Sequence, residues 1–197
     1  MALTMLLSLT TSRATPVSMV TIRVLDTSGL PINSAVVTLQ PVNGSVKRPF
    51  SFPWRNAMAQ YNEQFIPGTL IVPKGAHVSF PNLDRVRHSI YSFSKAAHFT
   101  IDLYGREQTR YQDFPVTGSV RLGCNIHDEM RGYIRVVDTP YAAQTKANGF
   151  LNIAGVSPGT FIATVWHPQI RLPDGEYQQE VILNRPSEIL EFRVPVR

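Results

Sequence analysis

Apolar and polar residues alternate in short runs along most of the chain. In "MVTIRVLDTSGLPINSAVVTLQP", residues 19–41, Val20, Ile22 and Val24 alternate with polar neighbours at the two-residue period of a half-buried strand. "DTSGLP" then signals a turn and "AVVTL" a second strand. The following "VNGSVKRPFSFPWRNA" is rich in turn formers and reads as a connecting loop. From about Met58 to Asp138 the runs "QFIPGTLIVPKGAHVSFPNLD", "RHSIYSF", "HFTIDLY", "SVRLGC" and "GYIRVVD" follow at regular spacing, separated by Gly, Pro or Asn. That spacing predicts a β-sandwich or barrel, with Phe80, Tyr91, Phe93, Phe99 and Tyr104 in its core. A third block, residues 145–197, opens with "TKANGFLNIAGVSPGTFIATVWHP", where "ANG" and "SPG" set off the strands "FLNI" and "TFIATVW". "QQEVILNRPSEILEFRVPV" adds two more strands. No stretch predicts an α-helix, so the expected fold class is all-β.

Composition agrees with that pattern. The 197 residues suffice for one large domain or two small ones, and 43% hydrophobic content supports a real core. Only 17% of residues are charged and 15 are proline, which suits short strands and turns better than helices. The formal charge of +5 is spread along the strands without a basic block, which argues against a nucleic-acid partner. The first residues, "MALTMLLSLTTSRATPVS", pair an apolar stretch with small polar residues as an export signal does, although the basic leading segment is missing. No other stretch is long and apolar enough to span a membrane. The expected location is periplasmic or exported.

The chain holds one cysteine, in "RLGCNIHDEMRGY". A lone thiol is inert packing, a nucleophile or a metal ligand. As a nucleophile Cys124 has His127 nearby but no visible orienting group. As a ligand it has His127 three residues on, Met130 three further, and His88 upstream in "FPNLDRVRHSIYSF". Zinc prefers four Cys or His ligands and takes Met poorly. Two imidazoles, a thiolate and a thioether favour copper, and with a weak axial Met they describe a blue-copper electron-transfer site. Cys124 is expected to end a strand whose inward residues are Val120 and Leu122. Asn125 would begin the turn that brings His127 and Met130 round before "GYIRVV" starts the return strand. His77, His98 and His167 read as surface or packing residues. Met58 and Gln60 border the region without an argument for ligation.

A distant His followed by C-x-x-H-x-x-M between two strands resembles the cupredoxins, with a spacing similar to that of amicyanin. The wider run "VSFPNLDRVRHSIYSFS…GCNIHDEMRGYIRVVDTPY" resembles plastocyanin-like proteins of the methylamine utilization type. Separately, "VLDTSGLPINSAVVTL" and "TKANGFLNIAGVSPGTF" resemble the carboxypeptidase regulatory-like, or prealbumin-like, sandwich, here with roughly a hundred residues between the two motifs. The resemblances imply a cupredoxin Greek-key β-sandwich over residues 57–138. They also imply a discontinuous prealbumin-like sandwich over residues 19–56 and 139–197, with residues 1–18 as a possible export segment. Many cupredoxins carry Asn directly after the first histidine to brace the copper loop; here Ser89 stands there, and its hydroxyl can also hydrogen-bond.

The implied function is one-electron transfer at a single copper cycling between Cu(II) and Cu(I), held by His88, Cys124, His127 and axial Met130, with no enzymatic activity of its own. A monomer is expected, with a redox protein, a dehydrogenase or a cytochrome, as partner. Copper storage or delivery is an alternative, and so is a binding module in which the copper domain is structural. His88 is expected to be buried and His127 to reach the surface, where Asp128, Glu129 and Arg131 would form a charged rim.

Overall fold

The computed structural model of the protein describes residues 18–185 and 187–196. Residues 1–17, nearly all of the stretch read as an export signal, lie outside the described residues. Strands β1 (Ser18–Asp26) and β2 (Val36–Pro41) come first, then the hairpin β3 (Ala59–Tyr61) and β4 (Gln64–Ile66). The central strands are β5 (Thr69–Pro73), β6 (Ala76–Pro81), β7 (His88–Ser94), β8 (Ala97–Tyr104), β9 (Thr109–Phe114), β10 (Gly118–Cys124) and β11 (His127–Val137). The last five are β12 (Ala142–Gln144), β13 (Phe150–Val156), β14 (Gly159–Trp166), β15 (Glu176–Leu183) and β16 (Ser187–Val194). Among the described residues the only helical element is a single 3-10 turn, Pro173–Gly175. The protein is all-β, built from stacked sheets.

The first two strands pair with the last five rather than with the centre. β1 lies between antiparallel β13 and parallel β16, while β2 lies between β12 and β14, with β15 beyond. The two sheets enclose a core that includes Val20, Ile22, Val37, Leu39, Leu151, Val165 and Phe192. The turn after β1 forms because the Asp26 carboxylate accepts the Ser28 and Leu30 amides, each at 2.8 Å, and because Gly29 takes φ 88°. Thr145 ties the distant segments together: its hydroxyl accepts the Ala35 amide at 2.9 Å and donates to the Ile32 carbonyl at 2.7 Å, both buried.

The central strands form a five-stranded sheet in the order β5-β11-β10-β7-β8, with the pairs β6–β9 and β3–β4 beside it. Their core runs from Met58 to Val136 and contains Phe80, Tyr104, Phe114, Leu122, Cys124 and Met130. A smaller apolar contact joins the two units, with Ile71 and Val137 on one side and Val36, Ala142 and Trp166 on the other. There Arg135 reaches Glu176 at 2.6 Å.

One part of the predicted core is corrected. Phe80 and Tyr104 are buried, but Phe93 is 73% exposed. Strand periodicity explains it: His88, Ile90 and Ser92 face inward along β7, so Tyr91 and Phe93 stand on the outer face, ring against ring at 5.3 Å. The Tyr91 ring lies so close over Gly123 that a Cβ there would come within 2.5 Å of it.

Candidate metal centre

His88 opens β7, Cys124 closes β10 and His127 opens β11. β10 and β7 run antiparallel with Gly123 opposite Tyr91, so the start of one strand meets the end of the other. The hairpin from β10 to β11 turns through Asn125 and Ile126 alone, and Cys124 sits opposite His127. Side chains far apart in sequence therefore converge. The Cys124 Sγ lies 3.8 Å from Nδ1 of His88 and 3.8 Å from Nδ1 of His127. Ligand atoms of the three residues all lie within 4.8 Å of one another, so the group could hold a metal ion.

The expected open loop between Cys124 and Gly132 is corrected: β11 already begins at His127. The register shifts between Gly123, which faces Arg131, and Cys124, which faces His127, and this leaves Asp128, Glu129 and Met130 as a bulge. The bulge turns Met130 inward among the residues that pack around Cys124, while Asp128 and Glu129 stay exposed. Val120 and Leu122 face inward, as the alternation predicts.

The separations fit a single bound ion. Bonds of about 2.0 Å to nitrogen and about 2.3 Å to sulfur set the two donors about 3.7 Å apart at a trigonal angle, and about 3.5 Å apart at a tetrahedral one. Both observed separations are 3.8 Å, close enough for one ion to bridge each pair. Two imidazoles and a thiolate around one point, with the thioether of Met130 buried in the same cluster, are a soft donor set of the kind that suits copper.

Each imidazole turns its outer nitrogen toward a carboxylate. The fully buried His88 ring has Nε2 3.1 Å from Asp84 Oδ2. Donation of Nε2–H to Asp84 leaves the Nδ1 lone pair pointing at the cysteine, the tautomer a metal needs. Asp84, 13% exposed, also accepts the Glu63 amide at 2.7 Å and the Arg85 amide at 2.9 Å. The Glu63 amide above all, with His88 and the Arg85 amide, holds the Asp84 carboxyl below its ordinary range against the opposing effect of burial. The His127 side chain is 21% exposed and its Nε2 faces the Glu63 carboxylate at 3.9 Å. Glu63 thus connects both histidines, through its backbone to one and its side chain to the other.

Ser89, the departure from the familiar pattern, does brace the turn. Its hydroxyl oxygen accepts the Asn125 amide at 3.1 Å and lies 3.9 Å from the Cys124 sulfur. The rim expected to be charged is mixed. Glu129 and Arg131 lie 3.8 Å apart, and Leu83, Val86 and Ile126 are exposed on the loops that carry Asp84 and His127.

The β3–β4 hairpin covers this end of the sandwich. Phe65 presses on Gly132 of β11, and Asn62 and Glu63 make the hairpin turn with positive φ. Gln60, opposite Phe65 in register, is completely buried, and neither its amide nitrogen nor its oxygen has a hydrogen-bond partner. Each such orphaned group costs on the order of 1–3 kcal/mol unless something satisfies it. Met58, also buried, packs in the core. Outside the cluster, His77 pairs with Asp113 at 2.6 Å and stacks on Tyr111 at 4.9 Å, and His98 meets the edge of Phe93. Asp84 and Glu63 were not legible as partners of the histidines, because each sits in a turn with no periodic signal, while Gln60 borders the region as the sequence suggested.

No protein-family model matches the chain, and no curated protein matches it. Solved structures similar to part of it include a purple cupredoxin from Nitrosopumilus maritimus, 20% identical over 41% of this chain and 98% of that one, with a TM-score of 0.38. A single-substitution variant of amicyanin, in its reduced Cu(I) form at pH 4, is 17% identical over 51% of this chain and 98% of that one, with a TM-score of 0.40. The copper-containing nitrite reductase of Thermus scotoductus SA-01 is 25% identical over 50% of this chain but only 25% of the enzyme, with a TM-score of 0.40.

Proposed function

We propose that this protein is an exported one-electron carrier with a mononuclear type 1 copper centre held by His88, Cys124, His127 and, axially, Met130. The observation that carries this reading is the pair of equal 3.8 Å separations from one buried thiol to two imidazole nitrogens. Bound there, copper would supply a one-electron couple between Cu(II) and Cu(I). The chain's contribution is rigidity and access. His88 and Cys124 sit at strand ends within one sheet, so their donor atoms keep their places whether the metal is oxidised or reduced. Asp84 fixes the His88 tautomer, and Ser89 holds the Asn125 turn against the cysteine. Burial of Cys124 and Met130 keeps water from the sulfur donors. The exposed edge of His127 is then the shortest route for an electron to a redox protein. The apolar residues Leu83, Val86 and Ile126 supply a surface on which such a partner could seat.

The copper unit in this proposal is a cupredoxin-type sandwich over residues 57–138, inserted into a prealbumin-like sandwich of residues 19–56 and 139–197. Two cores support the division: one drawn from Met58 to Val136, the other from segments on either side of that stretch. The decisive experiment is the visible and paramagnetic resonance spectrum of the Cu(II)-loaded full chain. An intense thiolate-to-copper absorption with narrow hyperfine splitting is expected, and Cys124→Ser should abolish both because oxygen cannot replace the thiolate. A Cys124→Ser protein that keeps the absorption would sink the assignment.

A further inference from the structure

The outer face of the central sheet carries a hollow of about 410 Å³ over strands β7 and β10. Gly123 lies at its floor, with Arg131 of β11 opposite it on one side and Tyr91 of β7 on the other. Because Gly123 has no side chain, the Tyr91 ring can lie over it. Phe93 follows along β7, its ring centroid 5.3 Å from that of Tyr91 and its side chain largely in solvent. Arg121 and Arg131, both exposed, flank the two rings. Among the described residues Arg121 has no ion-pair partner, Arg131 has only Glu129 at 3.8 Å, and no carboxylate lines the hollow. Tyr133, opposite Arg121 in register, meets Trp166 of the other unit edge to face at 5.5 Å. That unit therefore borders the hollow without covering Phe93. Exposed aromatic rings beside arginines are the composition in which protein interfaces are enriched over the rest of a surface.

We propose that this hollow docks an acidic segment of a partner protein, whose carboxylates meet Arg121 and Arg131 while an apolar side chain packs on Phe93. Charge decides the occupant. The planar guanidinium fork matches a carboxylate in two-point contact. A second copy of this chain, docked symmetrically, would bring the same arginines into one interface, and a basic partner would oppose them directly; like charges so placed disfavour both. This surface is separate from the apolar one at the metal end. Leu83, Val86 and Ile126 stand on loops there, whereas Phe93, at about 3.3 Å per residue, lies about 17 Å along β7 from His88.

The test titrates the full chain with two capped peptides, Glu-Glu-Leu-Glu-Glu and Gln-Gln-Leu-Gln-Gln, and follows the backbone amides by nuclear magnetic resonance. The protein is kept reduced, so that any copper it carries is Cu(I) and leaves the resonances sharp. At low salt the Glu peptide should bind more tightly than the Gln peptide and shift the amides of Tyr91, Phe93, Arg121 and Gly123. Arg121→Ser combined with Arg131→Ser should weaken the Glu peptide about threefold or more, as the loss of two exposed ion pairs implies. Added salt should remove most of the difference between the peptides. Phe93→Ser should weaken both peptides, since it removes the contact for their leucine. The substituted side chains are exposed, and urea midpoints confirm that the variants fold; where the double variant does not, Arg121→Gln carries the test. Shifts confined to other surfaces, or equal affinity of the double variant and the wild type for the Glu peptide, would overturn the proposal. So would a wild type that sediments as a dimer and that Phe93→Ser dissociates, because the hollow would then be a contact between copies.

Discussion

Phe65 of the β3–β4 hairpin packs directly on Gly132 of β11, and Gly132→Ala tests that contact. A Cβ at position 132 would lie 2.8 Å from the Phe65 Cβ and 2.9 Å from Cγ and Cδ2 of the same ring. A ring can rotate away, but the Phe65 Cβ moves only with its backbone, so β4 itself must lift from β11. Forcing an extra methyl into a packed core costs about 1–3 kcal/mol. Replacing glycine returns about 0.4–1 kcal/mol by restricting the unfolded chain. The expected net loss is about 1–2 kcal/mol, which for a chain of this size lowers Tm by about 2–8 °C. Urea unfolding should give a lower midpoint with an unchanged slope. Hydrogen exchange adds a local readout, since lifting the hairpin breaks the Glu63 amide bond to Asp84 and that amide should exchange faster. A Gly132→Ala protein with wild-type stability, within about 0.5 kcal/mol, and unaltered exchange at Glu63 would refute the pinning argument.

The remaining expectations concern the Asp84 carboxylate and an outlying histidine. Asp84→Ala removes the acceptor that orients His88 and should weaken Cu(II) binding about 10- to 100-fold in chelator competition, while Asp84→Asn, whose amide oxygen still accepts Nε2–H, should weaken it less. Equal binding by Asp84→Ala and wild type would mean that β7 alone orients the ring. Burial lowers the pKa of His167 from its ordinary 6.5, and its neutral Nδ1 accepts the Gln169 amide at 3.3 Å. Below pH 6.5 the unfolded chain therefore binds more protons at this residue than the folded one. Its contribution to stability is present above that pH and is lost as pH falls toward the folded value. Urea midpoints from pH 7.5 to 5 should fall less steeply for His167→Gln than for wild type, and parallel curves would rule out the contribution.

What could be read from the sequence alone was whatever a short stretch of chain decides by itself. Whether a run such as "VTIRV" is a strand depends on which of its own residues are apolar, so the all-β class and the inward set Val20, Ile22, Val120 and Leu122 were legible. The nearness of Cys124, His127 and Met130 was legible too, because their spacing confines them to one hairpin. Tertiary structure decided the rest, since it depends on strands meeting from distant parts of the chain. The register of β7 against β10 turned Phe93 outward and brought His88 to the cysteine. A three-residue bulge, not an open loop, aimed Met130 inward. The seating of β3–β4 on Gly132 placed Glu63 beside both histidines and buried Gln60 without a partner. Side-chain period is a local property, but the partner of a buried polar group is chosen by whichever backbone comes to lie against it.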